Sequence, residues 1–249
     1  MRRLLILPVI LGALWLTAQS VPFPGPGAHS SAITSPAITY VNSTSAGATN
    51  PGLATTTAIN TTGANFLIVL VNLYQGTGSV SDSTTACASP CNSWTLQGTY
   101  NPGGPGAVFQ VYYAFNPTVG PGHVFNTTTS SGYPSMFVGA FAGVTGTSLD
   151  KFNHSSSSST NTVSAGSITP SLSNELVITG FCSQSNPTSG TITVTSGYGG
   201  QLTQFFVNNY NEAGGFAYQI QTTATATNPT WSWTGNANTA ALAVVISFE

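Results

Sequence analysis

The stretch Ala64-Asn65-Phe66-Leu67-Ile68-Val69-Leu70-Val71-Asn72-Leu73-Tyr74 decides the fold, together with its echo Ser173-Asn174-Glu175-Leu176-Val177-Ile178-Thr179-Gly180-Phe181-Cys182. Slid by 109 residues, Ile59 falls on Ile168, Asn65 on Asn174, Leu67 on Leu176, Ile68 on Val177 and Val69 on Ile178 without a gap. Each run is short, nearly continuous in apolar residues and bounded by polar or turn-forming residues. That is the pattern of a strand covered on both faces, not of a half-exposed one. Two such centres in one chain predict two related halves.

Working outward, the flanking runs recur in the same order. Val108-Phe109-Gln110-Val111-Tyr112-Tyr113-Ala114-Phe115 answers to Phe216-Ala217-Tyr218-Gln219-Ile220, and Met136-Phe137-Val138-Gly139-Ala140-Phe141 to Leu242-Ala243-Val244-Val245-Ile246-Ser247-Phe248. About fourteen β-prone runs, separated by Gly, Pro, Asn and Ser clusters and without helical periodicity, predict an all-β chain. The expected architecture is an antiparallel two-sheet β-sandwich, jelly-roll-like, with two pseudo-repeated halves at about residues 37–150 and 151–249. One sandwich is preferred to two small domains, because no Pro-rich or charged linker lies near residue 150 and Phe248 in the last run reads as core. Ser155 to Ser159 reads as a loop tip between the halves.

Ahead of the sandwich, Arg2 and Arg3 precede an apolar run from Leu4 to Leu16, and Ala18-Gln19-Ser20 offers the small residues of a cleavage site. Residues 1–20 are expected to be a secretory signal, since the run is short for a bilayer span and interrupted by Pro8. Residues 21–36, opening Val21-Pro22-Phe23-Pro24-Gly25-Pro26-Gly27, read as a flexible Pro/Gly/Ser arm, either a linker or a strand lent to a neighbouring copy for self-association. The mature domain, 37–249, is then secreted, extracellular or at the cell surface, with no membrane span.

Only 3% of residues are Asp, Glu, Lys or Arg, against about a quarter in ordinary soluble proteins. Past the first three residues Lys151 is the one Lys or Arg, so counterion release cannot drive nucleic-acid binding. Few titrating groups also predict a weak dependence of stability on pH, and a surface of Ser, Thr, Asn, Gln and Gly has little charge repulsion to oppose self-association.

Several short motifs together carry a resemblance. Ala37-Ile38-Thr39-Tyr40-Val41, Gly63-Ala64-Asn65-Phe66-Leu67-Ile68-Val69, Ser81-Asp82-Ser83, Asn92-Ser93-Trp94-Thr95, Val111-Tyr112-Tyr113-Ala114 and Ser148-Leu149-Asp150 span almost the whole mature chain. In this order they resemble a recurrent secreted β-sandwich module of bacterial and phage surface proteins. The resemblance implies a jelly-roll-like sandwich in extracellular or adhesive proteins, with no established catalytic activity. The chain departs from that pattern by inserting Thr85-Ala86-Cys87-Ala88-Ser89-Pro90-Cys91 between Asp82 and Trp94.

Few residues are suited to chemistry. Cys87 and Cys91 are expected to close a small disulfide that staples a loop, with Cys182 in the echoed strand as the odd thiol. Three Cys without His at ligand spacing do not make a zinc site, and neither a metal nor a cofactor is expected. The five carboxylates are Asp82, Asp150, Glu175, Glu212 and Glu249. A glycosidase needs two of them across a cleft, yet Glu175 enters a strand, Glu249 follows the last one, and the other three fall on separate loops. Asp150, His154 and Ser155 contain the residue types of a triad but share one Ser-rich segment, which lacks the rigid scaffold a triad needs. Glu212 beside a Gln suggests an acid-active hydrolase only distantly. The better lead is Thr230-Trp231-Ser232-Trp233-Thr234, whose two indoles share one face of a strand. Buried, they are core; exposed, they would form a sugar-stacking platform extended by Tyr198 and Tyr210. Sequons at Asn42, Asn60, Asn126 and Asn153 are what a chain so rich in Asn, Ser and Thr produces by chance. The function expected is structural or adhesive, non-enzymatic, with glycans or cell-surface components as partners. The alternative is a carbohydrate-binding module using Trp231, Trp233, Tyr198 and Tyr210.

Overall fold

The apolar runs do become strands, and the polar segments between them add two more. The computed structural model describes residues 37–48, 51–74, 76–103, 107–130, 132–158, 160–184, 190–195, 197–206, 212–234 and 240–249; the expected signal segment and arm lie outside them. Among the described residues the first half forms β1 (Thr39–Gly47), β2 (Leu53–Thr55), β3 (Phe66–Tyr74), β4 (Gly78–Ser83), β5 (Thr95–Tyr100), β6 (Ala107–Phe115), β7 (Val124–Thr129) and β8 (Ser135–Ala142). The second forms β9 (Leu149–Ser157), β10 (Thr162–Ser164), β11 (Glu175–Gln184), β12 (Ile192–Val194), β13 (Gly199–Phe206), β14 (Glu212–Gln221), β15 (Thr230–Trp233) and β16 (Ala240–Phe248). No helix occurs among these residues, so none is long and apolar enough to cross a membrane.

All the pairings between these strands are antiparallel, and the two halves repeat one topology. The first half builds a five-stranded sheet in the order β1-β8-β3-β6-β5 and a three-stranded sheet β2-β7-β4. Adding eight to each label gives the second half, β9-β16-β11-β14-β13 and β10-β15-β12. Even local irregularities recur. A bulge interrupts β1 between Tyr40 and Asn42, and its counterpart on β9 leaves Asp150 unpaired between Leu149 and Lys151. Ile59 and Ile168 each make an isolated bridge, to His123 and Thr227. This is the jelly-roll-like, pseudo-repeated sandwich that the sequence predicts, with more sheets than expected.

The hydrophobic clusters show how the sheets are layered. Phe66, Ile68, Leu70, Phe109, Val111, Phe137 and Phe141 of the first five-stranded sheet share one core with Leu176, Ile178, Cys182, Phe216, Leu242, Val244, Ile246 and Phe248 of the second. The two-sheet sandwich is thus present at the centre, and each of its sheets carries a three-stranded sheet on its outer face. Ala54 and Phe125 cover Leu67, Val69 and Val71 on one side; Val163, Ile192, Trp231 and Trp233 cover Val177 and Phe181 on the other. Being covered on both faces is why β3 and β11 are continuously apolar. At the centre the sheets interlock closely. A Cβ on Gly180 would lie 2.2 Å from Leu70 Cδ1, and one on Gly139 would lie 2.5 Å from Phe216 Cζ. Edges cross over symmetrically: Tyr100 of β5 stacks on Phe152 of β9 at 5.1 Å, and Ser45 of β1 donates to Gln204 of β13 at 2.9 Å.

Two expectations need correction. The gapless echo is not the structural equivalence. Leu67 faces the outer core and Leu176 the central one. Pairing sets Phe66 opposite Phe115 and Phe141, and Leu176 opposite Ile220 and Phe248, so Phe66 corresponds to Leu176, one residue further along. An odd slip reverses every side chain, and a strand apolar on both faces does not reveal the slip. Of the expected loop tip at Ser155 to Ser159, Ser155, Ser156 and Ser157 instead pair with Ala243, Leu242 and Ala241 in edge strand β9, and Ser159 lies outside the described residues.

Candidate functional site

The indoles of Trp231 and Trp233 point inward, where β15 closes the outer core of the second half. Trp231 is fully buried, its Nε1 donating to Thr179 Oγ1 at 3.0 Å, and Trp233 is 4% exposed. Both stack on Phe181, with ring centroids 5.7 and 4.8 Å apart. Tyr198 is buried as well, its hydroxyl 2.8 Å from Thr227 Oγ1. A sugar ring cannot reach these faces, so of the two readings of the Trp pair the core one holds, and the sugar-stacking alternative fails for Trp231, Trp233 and Tyr198. Tyr210 and the Glu212 side chain lie outside the described residues.

The cysteine expectation holds. Cys87 and Cys91 are bonded, and Cys182 lies buried in the central core. The stapled loop covers a polar network that sequence reasoning missed. Asp82 is buried on the inner face of β4, not on a loop, and its Oδ2 lies 2.7 Å from His123 Nε2. A carboxylate only accepts, so the Nε2 proton is on the ring; in the neutral ring Nδ1 then accepts from Thr61 Oγ1, 2.7 Å away. Asn92 donates to both Asp82 oxygens, through its backbone N–H at 3.0 Å and its amide at 2.6 Å, and Trp94 Nε1 donates at 3.2 Å. Burial pushes the Asp82 carboxyl up, but the bonds from His123, Asn92 and Trp94 outweigh it and hold it below its ordinary value. Hydroxyl, imidazole and carboxylate stand in the order of a catalytic relay, yet all three residues are fully buried. Thr61 Oγ1 is also engaged by Gly120, whose N–H donates at 3.1 Å. The network stitches the stapled loop to the outer core.

A second cluster gathers residues that sequence reasoning kept apart. Asp150, Glu175 and Glu249 bring carboxylate oxygens within 4.8 Å of one another. Asp150 sits at the β9 bulge, Glu175 opens β11, and Glu249 follows β16. Asp150 Oδ1 accepts from Lys151 Nζ at 2.9 Å and Ser171 Oγ at 2.6 Å, and Oδ2 accepts from the Ser171 N–H at 2.9 Å and Ser247 Oγ at 3.0 Å. Partial burial raises the Asp150 carboxyl, but these donors, Ser171 foremost, carry it far below its usual range. Burial holds Glu175 above its ordinary value, the Leu172 N–H opposes this, and the Asp150 charge adds to the rise. Opposite shifts in neighbouring carboxyls are a feature of acid–base pairs. Here, however, Glu175 is fully buried, the Asp150 side chain is 8% exposed, and the oxygens stand closer than the 5 Å or so that flanks a glycosidic bond.

The triad of Asp150, His154 and Ser155 does not assemble. His154 and Ser155 are successive strand residues pointing to opposite faces, and His154 lies against Tyr100, ring centroids 4.4 Å apart. Compared with family models, curated proteins and solved structures, the chain matches none.

Proposed function

We propose that this chain is a secreted, non-enzymatic β-sandwich that makes structural or adhesive contacts at a cell surface or in an extracellular assembly. The observation that carries this reading is the chemistry of the two outer sheets. Their outward positions form cross-strand rows, Thr55-Asn126-Ser81 on one sheet and Thr162-Ser232-Thr193 on the other. Side-chain bonds hold parts of these faces in place, with Thr55 donating to Asn126 at 2.8 Å, Ser79 and Thr128 bonded at 2.7 Å and Ser164 and Thr230 at 2.7 Å. None of the six outer strands carries a charged side chain except Asp82, which faces inward. Pre-ordered, uncharged hydroxyls and amides suit hydrogen-bonded contact with glycan or protein surfaces and lose less entropy on binding. The disulfide and the N-terminal sequence fit an oxidising, extracellular setting.

The test is adsorption of the purified protein to bacterial cell envelopes and to a glycan array. Retention should be insensitive to salt up to about 1 M, where surface charge is screened. The paired changes Ser81→Lys with Thr128→Lys, and Thr193→Lys with Ser232→Lys, should each reduce it several-fold with the fold intact. Retention that salt abolishes, or that neither pair alters, overturns the reading.

A further inference from the structure

The carboxylate cluster where β9, β11 and β16 meet lies away from the outer sheets and asks for an explanation of its own. In a chain with five Asp and Glu residues in all, three converge at one place. The first half shows what the position does without them. Asn65, which the strand pairing makes the counterpart of Glu175, latches the start of β3 to the segment after β8. Its Nδ2 donates to Val144 O at 2.7 Å and its Oδ1 accepts from Val144 N at 3.2 Å. In the second half a carboxylate stands in that place, and beside it Glu249, the residue that follows β16. Two carboxylates latch to each other only through a shared proton or a bound cation.

One oxygen marks the gap. Glu175 is fully buried, its Oε1 accepts from the Leu172 N–H at 2.5 Å, and its Oε2 is buried without a hydrogen-bond partner among the described residues. The carboxylate that carries it belongs to the cluster. Lys151 supplies one positive charge, bound to Asp150 on the solvent side and 42% exposed. One ammonium thus stands against three carboxyl groups. We propose that Asp150, Glu175 and Glu249 form a calcium-binding site that ties the beginnings of β9 and β11 to the end of β16. The donors are all hard oxygens, as calcium requires, and Ser247 Oγ and Ser171 Oγ flank Asp150 as neutral oxygens. Oxygens on opposite sides of a calcium ion at about 2.4 Å stand about 4.8 Å apart, a span that magnesium, at about 2.1 Å, would have to contract. The cluster's oxygens lie within 4.8 Å of one another, which does not exceed the calcium span, and the magnesium control decides between the two ions.

The experiment is calorimetric titration of the chelator-treated full chain with calcium chloride at neutral pH, with thermal melts in parallel and magnesium chloride at equal ionic strength as control. One calcium per chain and a raised Tm are expected, with magnesium weaker. Glu175→Gln keeps the shape of the side chain and should weaken calcium at least tenfold while abolishing the rise in Tm. Lys151→Gln should tighten it, which a purely structural ion pair does not predict. If Glu175→Gln does not fold, Glu249→Gln at the partly exposed rim answers the same question. No heat and no rise in Tm up to about 10 mM calcium, beyond the millimolar range of weak extracellular sites, overturns the proposal. So does unchanged affinity in the glutamine variants.

Discussion

Asp82 and His123 show what a charged residue does in a chain that has almost none. Both groups are fully buried, so removing His123 takes one donor from a desolvated carboxylate that keeps only Asn92 and Trp94. His123→Leu should therefore cost about 1–3 kcal/mol, the loss of one bond to a buried acceptor, read from urea unfolding. The double change Asp82→Leu with His123→Leu should recover part of that loss, because a pair of apolar side chains strands no charge. The pH dependence follows from the directions of the shifts. Asp82 and Asp150 are lowered in the fold from 3.8, so their stabilisation is complete above that value and is lost as pH falls towards the folded values. Glu175 is raised from 4.5, so its contribution is present below that value and is lost as pH rises through the folded one. The two effects oppose each other. In calcium-free buffer, Tm should change by only a few degrees between pH 7 and pH 4 and fall below that, and Asp82→Asn should flatten the acid limb. None of this network was legible in the sequence. Thr61, Asp82, Asn92 and His123 are scattered over more than sixty positions, and only the β2-β7-β4 sheet and the Ile59–His123 bridge bring them together. The Asp150, Glu175 and Glu249 cluster was hidden for a related reason. Treating Glu175 as the start of a strand and Glu249 as the residue after one separated two positions that antiparallel pairing makes neighbours.

At the scale of elements, what the sequence revealed is set by burial. Fourteen of the sixteen strands coincide with apolar or alternating runs, because the sheets that hold them bury at least one face. The two that escaped are β4, Gly-Ser-Val-Ser-Asp-Ser, and β9, Leu-Asp-Lys-Phe-Asn-His-Ser-Ser-Ser. Both lie at a sheet edge, where one side of the backbone is unpaired and polar side chains are tolerated. Their hydrophobic signal reduces to Val80 in one and Leu149 and Phe152 in the other. The Trp pair illustrates the reverse case, since period-2 spacing correctly placed both indoles on one face but could not say whether that face was wet. Glycines on the central strands were equally mute in sequence and are decisive in packing. Gly180→Val would drive a side chain into Leu70, and Gly139→Val into Phe216. Each should destabilise by about 1–3 kcal/mol through overpacking. Leu70→Ala in the Gly180→Val background should restore part of the loss, and chemical unfolding of the single and double variants measures both.

Over the whole molecule, the duplication accounts for the arrangement of its cores. Each half owns one outer core, but the central one belongs to neither, being lined by both five-stranded sheets. A half on its own would expose Phe66, Ile68, Leu70, Phe137 and Phe141, or the matching set from Leu176 to Phe248, to water. A continuous apolar face of that kind drives association, which is why the halves should not behave as independent domains. Differential scanning calorimetry of the intact chain should then show one transition, with calorimetric and van't Hoff enthalpies in a ratio near one. The substitution that separates this from two linked domains is Gly139→Val, which lies in the first half but strikes Phe216 of the second. It should shift the single transition as a unit. Two resolved transitions, with only the first displaced, would show that each outer core suffices for its own half and that the central contact is an interface between domains.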